Sequence, residues 1–240
     1  MNEPAVSVVI TSYDYGRYLG EAIESALAQT HRVEVIVVDD GSTDDTPLVA
    51  ARYPVRYRRQ ENGGVCRARN LGASLTRSEL LMFLDADDVL QPTYVERCAT
   101  ALAASKPNVA FAYTQVECFG DVNKVEDPGE FSVGRLDLGL ASASALLRRD
   151  AFERVGGFSV SWQAALEDME LWVRMASVGY EGVFVPEPLL RYRRHGSTRN
   201  SLDEERVKAL RMRLWRTHPN LYWHRLARHP VRWLRAAVLG

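Results

Sequence analysis

The sequence predicts an α/β protein built on a mostly parallel, doubly wound sheet. Five short segments before residue 115 have the length of strands, and segments with the apolar spacing of helices separate them. The run at 80–84, LLMFL, is continuously apolar, as in a parallel strand that is covered on both faces. Such an alternation packs as a sheet between two helical layers. With 240 residues, 46% of them hydrophobic, the chain is large enough for one domain, with or without an appendage.

The elements follow one another in a regular order. The predicted strands are 6–10, 33–38, 55–58, 80–84 and 109–114. The first helix is predicted because apolar residues recur at i, i+3, i+4, i+7 and i+8 from Leu19 to Leu27. Hydroxyl and carboxylate side chains at 42–45 are suited to cap a second helix. The second, third and fourth helices are predicted at 46–52, 65–74 and 92–105. Gly63 and Gly64 precede the third.

The periodicity fades after residue 114. Segment 117–139 has the Gly, Asp and Pro content of a long excursion, and we expect it to be mobile or acceptor-facing. Segment 143–147 is expected to rejoin the sheet, followed by helices at 149–155 and 166–177. The predicted domain covers 1–200 and divides near residue 114.

Cysteine usage and hydropathy favour a cytoplasmic setting. The three cysteines, Cys66, Cys98 and Cys118, are odd in number and widely spaced, so neither a disulfide framework nor a metal knuckle is indicated. Residues 1–4 do not begin a secretory signal, and no window reaches the roughly 18 to 20 apolar residues of a spanning helix. We expect neither export by a visible signal nor integral membrane insertion.

Segment 201–240 differs from the rest of the chain. It has nine Lys or Arg and three acids, a balance of +6, which leaves −7 for residues 1–200. With Trp215, Tyr222, Trp223 and Trp233 it could form an amphipathic helical tail on the anionic inner face of a membrane. A helical pair packed on the domain, with its arginines in solvent, fits equally well. No nucleic-acid partner is expected, and the oligomeric state stays open.

Three carboxylates, Asp85, Asp87 and Asp88, follow the apolar run 80–84. In an open α/β sheet, ligands bind beyond the carboxyl ends of the strands. Paired Asp side chains at such a place can hold Mg²⁺ or Mn²⁺ together with substrate phosphates. The alternative is a solvated turn in which Asp87 or Asp88 caps the next helix. We interpret the cluster as a sign of nucleotide-diphosphate chemistry.

Other phosphate and metal signatures are absent from the sequence. There is no G-x-x-x-x-G-K-[ST] loop, and Gly63-Gly64 does not supply a G-x-G-x-x-G dinucleotide motif. A sugar nucleotidyltransferase would need a Gly-rich triphosphate loop after the first strand, where this chain has TSYDY at 11–15. An EF-hand also fails, since Ile36 and Val38 occupy two ligand positions.

Taken in order along about residues 5–198, the motifs resemble those of the inverting glycosyltransferases of family 2, which have the GT-A fold. The motifs are VVITSY at 8–13, the helical stripe at 19–30, VVDDGSTD at 37–44, NGG at 62–64, ARN at 68–70, FLDADD at 83–88, RR at 148–149, GGF at 156–158, EDMELWVR at 167–174 and YRRH at 192–195. Each is weak alone, whereas the ordered set is specific.

The resemblance implies a nucleotide-binding half at 1–114, with its site at the ends of the first, second and fourth strands, and an acceptor and catalytic half at 115–200. Thr11 and Tyr13 would lie at the base, and Asp40 would accept a hydrogen bond from a base N–H. Asp85 would contact the ribose or the metal shell. Arg69 would contact the base or a phosphate, or else be a solvated helix residue.

It also implies a metal and a catalytic base. Asp87, with Asp85 and His195, would ligate the Mn²⁺ or Mg²⁺ that bridges the diphosphate. Asp168 would deprotonate the acceptor hydroxyl, and Glu167 would orient Asp168 or bind the acceptor. For Trp162, stacking on a sugar and burial in the core are equally open.

The sequence thus predicts a metal-dependent inverting glycosyltransferase. It would move a sugar from a nucleotide-diphosphate donor, with a UDP-sugar as the default, to a glycan or lipid-linked acceptor in surface polysaccharide biosynthesis. The alternatives are a catalytically silent nucleotide- or sugar-binding protein and a sugar nucleotidyltransferase.

Overall fold

The computed structural model describes residues 5–138, 141–162, 165–196 and 204–227. Within these ranges, nine strands form one sheet. The strands are β1 (Val6–Ser12), β2 (Val33–Asp39), β3 (Arg56–Arg59), β4 (Leu80–Asp85), β5 (Val89–Leu90), β6 (Val109–Gly120), β7 (Lys124–Glu126), β8 (Leu146–Arg148) and β9 (Glu181–Arg194). The helices are α1 (Gly16–Leu27), α2 (Thr46–Ala50), α3 (Val65–Ser74), α4 (Tyr94–Ala104), α5 (Arg149–Arg154), α6 (Glu167–Ser177), α7 (Glu204–Thr217) and α8 (Pro219–Ala227).

The first half of the sheet is parallel, which confirms the prediction. Strands β3, β2, β1 and β4 are neighbours in that order, and all three pairings are parallel. In register, Ser12 lies beside Asp39, and Thr11 lies beside Asp85. The polar residues at the strand ends therefore meet at one edge of the sheet.

The second half is mixed. The order continues β8, β6, β9, β5, with β7 paired to the outer part of β6. Strand β8 lies between β4 and β6 and is antiparallel to both. Strand β9 is parallel to β6 and antiparallel to β5. The segment after residue 114 is thus less irregular than predicted, because β6 runs on to Gly120 and β7 folds back on it.

Both faces of the parallel half are covered, because alternate residues of a strand point to opposite faces. On β4, Leu81 and Phe83 belong to one apolar cluster, whereas Met82 and Leu84 belong to the other. The first cluster includes α3, α5 and α6, and the second includes α1 and α4. This double coverage explains the uninterrupted apolar run. The three cysteines are buried, and none of them forms a disulfide.

Helices α7 and α8 pack on the domain. Leu214 and Tyr222 are fully buried in the first cluster, and the rings of Trp215 and Tyr222 are 6.5 Å apart. Trp223 is 68% exposed. The described part of the tail therefore matches the packing alternative. Residues 228–240, with Trp233, lie outside the described residues, and no helix within the described ranges is long and apolar enough to cross a membrane.

Candidate active site

The nucleotide-site residues predicted on the first strand lie at the carboxyl edge of the sheet. Thr11 is nearly buried, and its hydroxyl donates to Asp85 Oδ1 at 3.4 Å. Tyr13 follows the end of β1 and is 49% exposed, so its ring is free to meet a ligand. Both positions fit the predicted nucleotide contact, which stays a prediction.

The two acids that end the second strand have different surroundings. Asp39 is fully buried and accepts hydrogen bonds from Tyr57 and Arg59, at 2.6 and 3.0 Å. Asp40 accepts bonds from the backbone N–H groups of Gly63 and Gly64, both at 2.8 Å, and from Gln60 Nε2 at 2.6 Å. In this structure the Asp40 carboxylate therefore holds the loop that begins α3. A contact from Asp40 to a nucleotide base remains a prediction.

Arg69 joins the nucleotide side of the site to the catalytic side. Its side chain is only 1% exposed, so the solvated alternative is wrong. One terminal nitrogen donates to Asp85 Oδ1 at 2.7 Å and the other to Glu167 Oε1 at 2.9 Å. Its guanidinium also lies over the ring of Phe158, 5.1 Å from the centroid. Burial opposes the charge, but the carboxylates of Asp85 and Glu167 outweigh it and raise the pKa of Arg69.

His195 meets the predicted metal-binding acid. His195 Nε2 lies 3.0 Å from Asp87 Oδ2, and both side chains are mostly buried. The imidazole packs against the rings of Tyr18 and Tyr15, at centroid distances of 4.8 and 5.7 Å. Strand β9, which ends at Arg194, brings His195 to this place.

Asp88 has a structural partner of its own. It is 2% exposed and accepts the backbone N–H of Arg193 at 3.0 Å, which ties the acidic turn to β9. Burial and the charges of Asp87 and Asp85 raise the pKa of Asp88 well above its usual value. Neither Asp87 nor Asp88 caps a helix, since α4 begins at Tyr94, so the solvated-turn alternative is wrong.

The predicted metal ligands fit a cation only together with substrate. Asp87 and His195 supply an oxygen and an imidazole nitrogen at hydrogen-bond distance from each other, with Asp85 two residues away. Among the described residues, no three His, Cys, Asp or Glu side chains converge in an arrangement that could hold a metal ion. Mg²⁺ is often bound through one or two carboxylates plus phosphate oxygens and water, which is compatible with this incomplete donor set.

Glu167 and Asp168 begin α6. Asp168 Oδ1 accepts the N–H of Met169 at 2.7 Å, and the side chain is half-buried. Burial first, and then the charge of Glu167, raise the pKa of Asp168 to about 6, although Arg69 opposes the shift. The preceding residue, Leu166, has a φ of 59°, which L-residues with bulky side chains rarely adopt. Leu166 immediately precedes α6, so this strained residue stands directly before the acidic pair.

A cleft of about 680 Å³ contains the acidic pair together with Asp85 and Arg69. We call it the Asp168 cleft. Its volume is that of a small-molecule site. Strands β6 and β9 and helix α7 also line it, the last through Val207 and Arg211.

Trp162 does not line this cleft. It is 4% exposed within the apolar core, and the guanidinium of Arg213 covers its ring at 4.2 Å from the centroid. The structure therefore favours the core alternative over sugar stacking for this side chain.

Several partners in the site were not predicted from the sequence. They include the Tyr15 and Tyr18 rings beside His195, the attachment of Asp88 to Arg193, and the two α7 residues in the cleft. The tyrosines carried a weak signal, because residues three apart near the start of a helix share a face. The contacts of β9 and α7 join distant parts of the chain and had no local signal.

Comparison with known proteins gives a family match. Residues 7–168 match the family described as Glycosyl transferase family 2. An uncharacterized glycosyltransferase of Rickettsia typhi is 30% identical over 225 residues, which cover 86% of this chain and 70% of that protein. An uncharacterized glycosyltransferase of Rickettsia prowazekii is 30% identical over 209 residues, which cover 81% of this chain and 65% of that protein. The glycosyltransferase GlyG of Streptococcus pneumoniae is 38% identical over 38% of this chain and 33% of its own.

Solved structures share the fold at low sequence identity. S. aureus TarS 1–349 in complex with UDP-GlcNAc has a TM-score of 0.73 at 17% identity, covering 88% of this chain and 66% of that one. The mannosyltransferase PcManGT of Pyrobaculum calidifontis, in complex with GDP-Man and Mn²⁺, has a TM-score of 0.61 at 19% identity. The match covers 95% of this chain and 65% of that one. These likenesses establish the GT-A fold that the sequence motifs implied.

Proposed function

Because this chain belongs to glycosyl transferase family 2, we propose that it moves a sugar from a nucleotide-diphosphate donor to a hydroxyl of a glycan or lipid-linked acceptor. Transfer occurs in one step with inversion. Asp168 takes the proton of the acceptor hydroxyl while that oxygen bonds to the anomeric carbon. The bond from this carbon to the diphosphate oxygen breaks, and the nucleoside diphosphate leaves with the electron pair.

Donor binding is assigned to the carboxyl edge of the sheet. Tyr13 and Thr11 would lie at the nucleotide, and Asp85 at its ribose. Asp87 and His195 would hold Mn²⁺ or Mg²⁺ against the diphosphate. Such a cation, when bound, neutralises the charge that develops on the leaving phosphate.

The Arg69 bridge is the observation that carries the proposal. One buried guanidinium donates to Asp85 on the donor side and to Glu167, the neighbour of the proposed base, on the acceptor side. Donor and acceptor must meet within bonding distance for direct transfer. A rigid link between the two carboxylates fixes that distance, and the Asp168 cleft leaves room for the acceptor.

A pKa near 6 suits Asp168 for its proposed role. At neutral pH most of the carboxyl groups are ionised and able to accept a proton, yet the group is more basic than an ordinary Asp. Glu167 cannot replace it without losing the Arg69 partner, so we assign Glu167 to positioning.

The donor class is proposed as UDP-sugar by default. TarS has been crystallised with UDP-GlcNAc and PcManGT with GDP-Man, so both base types occur on this fold. We further propose a role in surface polysaccharide biosynthesis.

Contact of segment 201–240 with the inner membrane face is a separate proposal, supported by the exposed Trp223. Flotation with anionic and neutral vesicles tests it, and equal recovery with both would argue against it.

Calorimetric titration of UDP, GDP and dTDP, with and without Mn²⁺, tests the donor assignment. We expect one nucleotide to bind tightly only when the metal is present, and Asp87→Asn to remove that dependence. If none binds to the folded chain, the proposal is wrong. Release of the nucleoside diphosphate from the matching sugar nucleotide then separates an enzyme from a silent binding protein, and release of pyrophosphate from a nucleoside triphosphate would indicate a nucleotidyltransferase.

A further inference from the structure

The Asp168 cleft has a cationic part that the transfer chemistry does not use. Besides the Arg69 bridge, three arginines line it: Arg135, Arg194 and Arg211. They come from three separate elements, a 3-10 turn at Val133–Leu138, the end of β9, and α7. Six carboxylates line the same cleft: Asp85, Asp88, Glu126, Asp127, Glu167 and Asp168. Asp85 and Glu167 accept from Arg69, and Glu126 lies 3.5 Å from Arg194, so the case for a bound anion depends on Arg211 and not on the number of arginines.

Arg211 has a buried donor that no described residue satisfies. Its Nε is buried and has no hydrogen-bond partner among the described residues. A buried donor without a partner is costly, and the guanidinium fork matches carboxylate and phosphate groups. Arg194, in contrast, lies 3.5 Å from Glu126 and stacks on Tyr192. Arg211 therefore has donor capacity that a bound anion could use.

The donor diphosphate does not account for this cationic part. Of the proposed metal ligands at the diphosphate, Asp85 lines the cleft, whereas Asp87 and His195 do not. Side chains alternate along β9, so that Tyr192 and Arg194 line the cleft while Arg193 donates to the Asp87 carbonyl at 2.9 Å. The strand thus separates the two groups of basic residues.

We propose that Arg211 of α7, with Arg194 and Arg135, forms an anion subsite that selects acceptors carrying a phosphate or carboxylate group near the reacting hydroxyl. The hydroxyl lies at Asp168 and the anionic group lies at Arg211. Helix α7, which carries Arg211, lies beyond the family match at residues 7–168, whereas Arg135 lies within it. The identity of the ligand as an acceptor rests on the proposed transfer function.

A charge series of small sugars tests the subsite on the full-length chain. Glucose 6-phosphate, glucuronate and glucose are titrated separately, with UDP and Mg²⁺ present, and binding is followed by ligand-observed NMR. We expect at least one charged sugar to bind about tenfold more tightly than glucose, since one charge-assisted contact is worth that much. Added salt should remove most of the difference. The two charged probes distinguish phosphate from carboxylate recognition.

Arg211→Ala should remove most of the preference for the charged sugar. Lys208→Ala is the matched control, because Lys208 is an exposed cation on the same helix that does not line the cleft. Circular dichroism confirms that each variant is folded. If Arg211→Ala does not fold, Arg194→Ala, together with the salt dependence of the wild type, makes the same test.

Three results would overturn the proposal: equal binding of charged and neutral sugars by the wild type, an unchanged preference in Arg211→Ala, or an equal loss of UDP binding in that variant. The last would place a donor phosphate at Arg211. Failure of the proposed function has a different result. In that case the wild type does not bind the nucleotide, but it still binds the charged sugars more tightly than glucose.

Discussion

Replacing Asp168 by Asn should abolish transfer and stabilise the fold. Burial and the neighbouring Glu167 raise the pKa of Asp168 from 3.8 to about 6. An acid whose pKa rises on folding destabilises the folded state at any pH where the acid is ionised. The cost is about 1.4 kcal/mol for each unit by which the folded pKa exceeds the unfolded pKa. The rise at Asp168 therefore corresponds to a cost of about 3 kcal/mol at most above neutral pH.

The stability that Asp168→Asn gains over the wild type should depend on pH. Below the unfolded pKa of 3.8 the carboxyl is protonated in both states, so the substitution should have little effect. As pH rises through 3.8 the wild type begins to lose stability relative to Asn, and the loss is complete above about 6. About half of it should be present near pH 5. Asn can still accept the Met169 N–H, so no hydrogen bond is lost.

Urea unfolding of the wild type and of Asp168→Asn across this pH range measures the difference in their free energies of unfolding. The control is Asp150→Asn, because Asp150 also begins a helix and accepts the next N–H, from Ala151 at 2.8 Å, but is exposed. Its substitution should change stability by less than about 0.5 kcal/mol. A destabilised Asp168→Asn protein, or a gain that is constant with pH, would refute the burial argument. Near-normal transfer would refute the base assignment, as would wild-type kcat/KM that does not fall below about pH 6.

The other predictions concern the bridge, the metal and the packing. Arg69→Met leaves two carboxylates without their buried cation and should lower the free energy of unfolding by about 3 kcal/mol or more; an unchanged urea midpoint would contradict this. His195→Ala should weaken Mn²⁺-dependent nucleotide binding less than Asp87→Asn does, and calorimetry with unaltered metal dependence would remove His195 from the site. Gly72→Ala should cost about 1 to 3 kcal/mol, because its Cβ would lie 2.1 Å from Val9 Cγ1, and a thermal melt without any decrease would show that α3 can move away.

The parallel half of the fold was predictable because its signals are local. Strands β1 to β4 and helices α1 to α4 lie within about two or three residues of the predicted bounds, since periodicity and caps report on neighbouring residues. Strand β9 was missed because Pro186 and Pro188 interrupt its apolar residues, and proline argues against an inner strand. The structure admits them through a register shift opposite Gln115.

The site was predictable where it depends on strand ends and not where it depends on distant pairs. Acids after β2 and β4 must share one edge of a parallel sheet. Glu167, the catalytic-side partner of Arg69, lies 98 residues away in sequence, and Arg193, the partner of Asp88, lies 105 residues away. A single sequence contains many carboxylates and cations at such separations, and nothing local selects the pair that meets.

The burial of Leu214 and Tyr222 has a practical consequence for the limits of the folding unit. The family match ends at residue 168, and the region of motif resemblance ends near residue 198, yet α7 and α8 cover part of the central apolar cluster. Cutting the chain near residue 200 would expose that cluster to water and invite aggregation. The smallest stable piece of this protein should therefore extend to at least Ala227, and expression yields of chains ending at 200 and at 227 should differ for this reason.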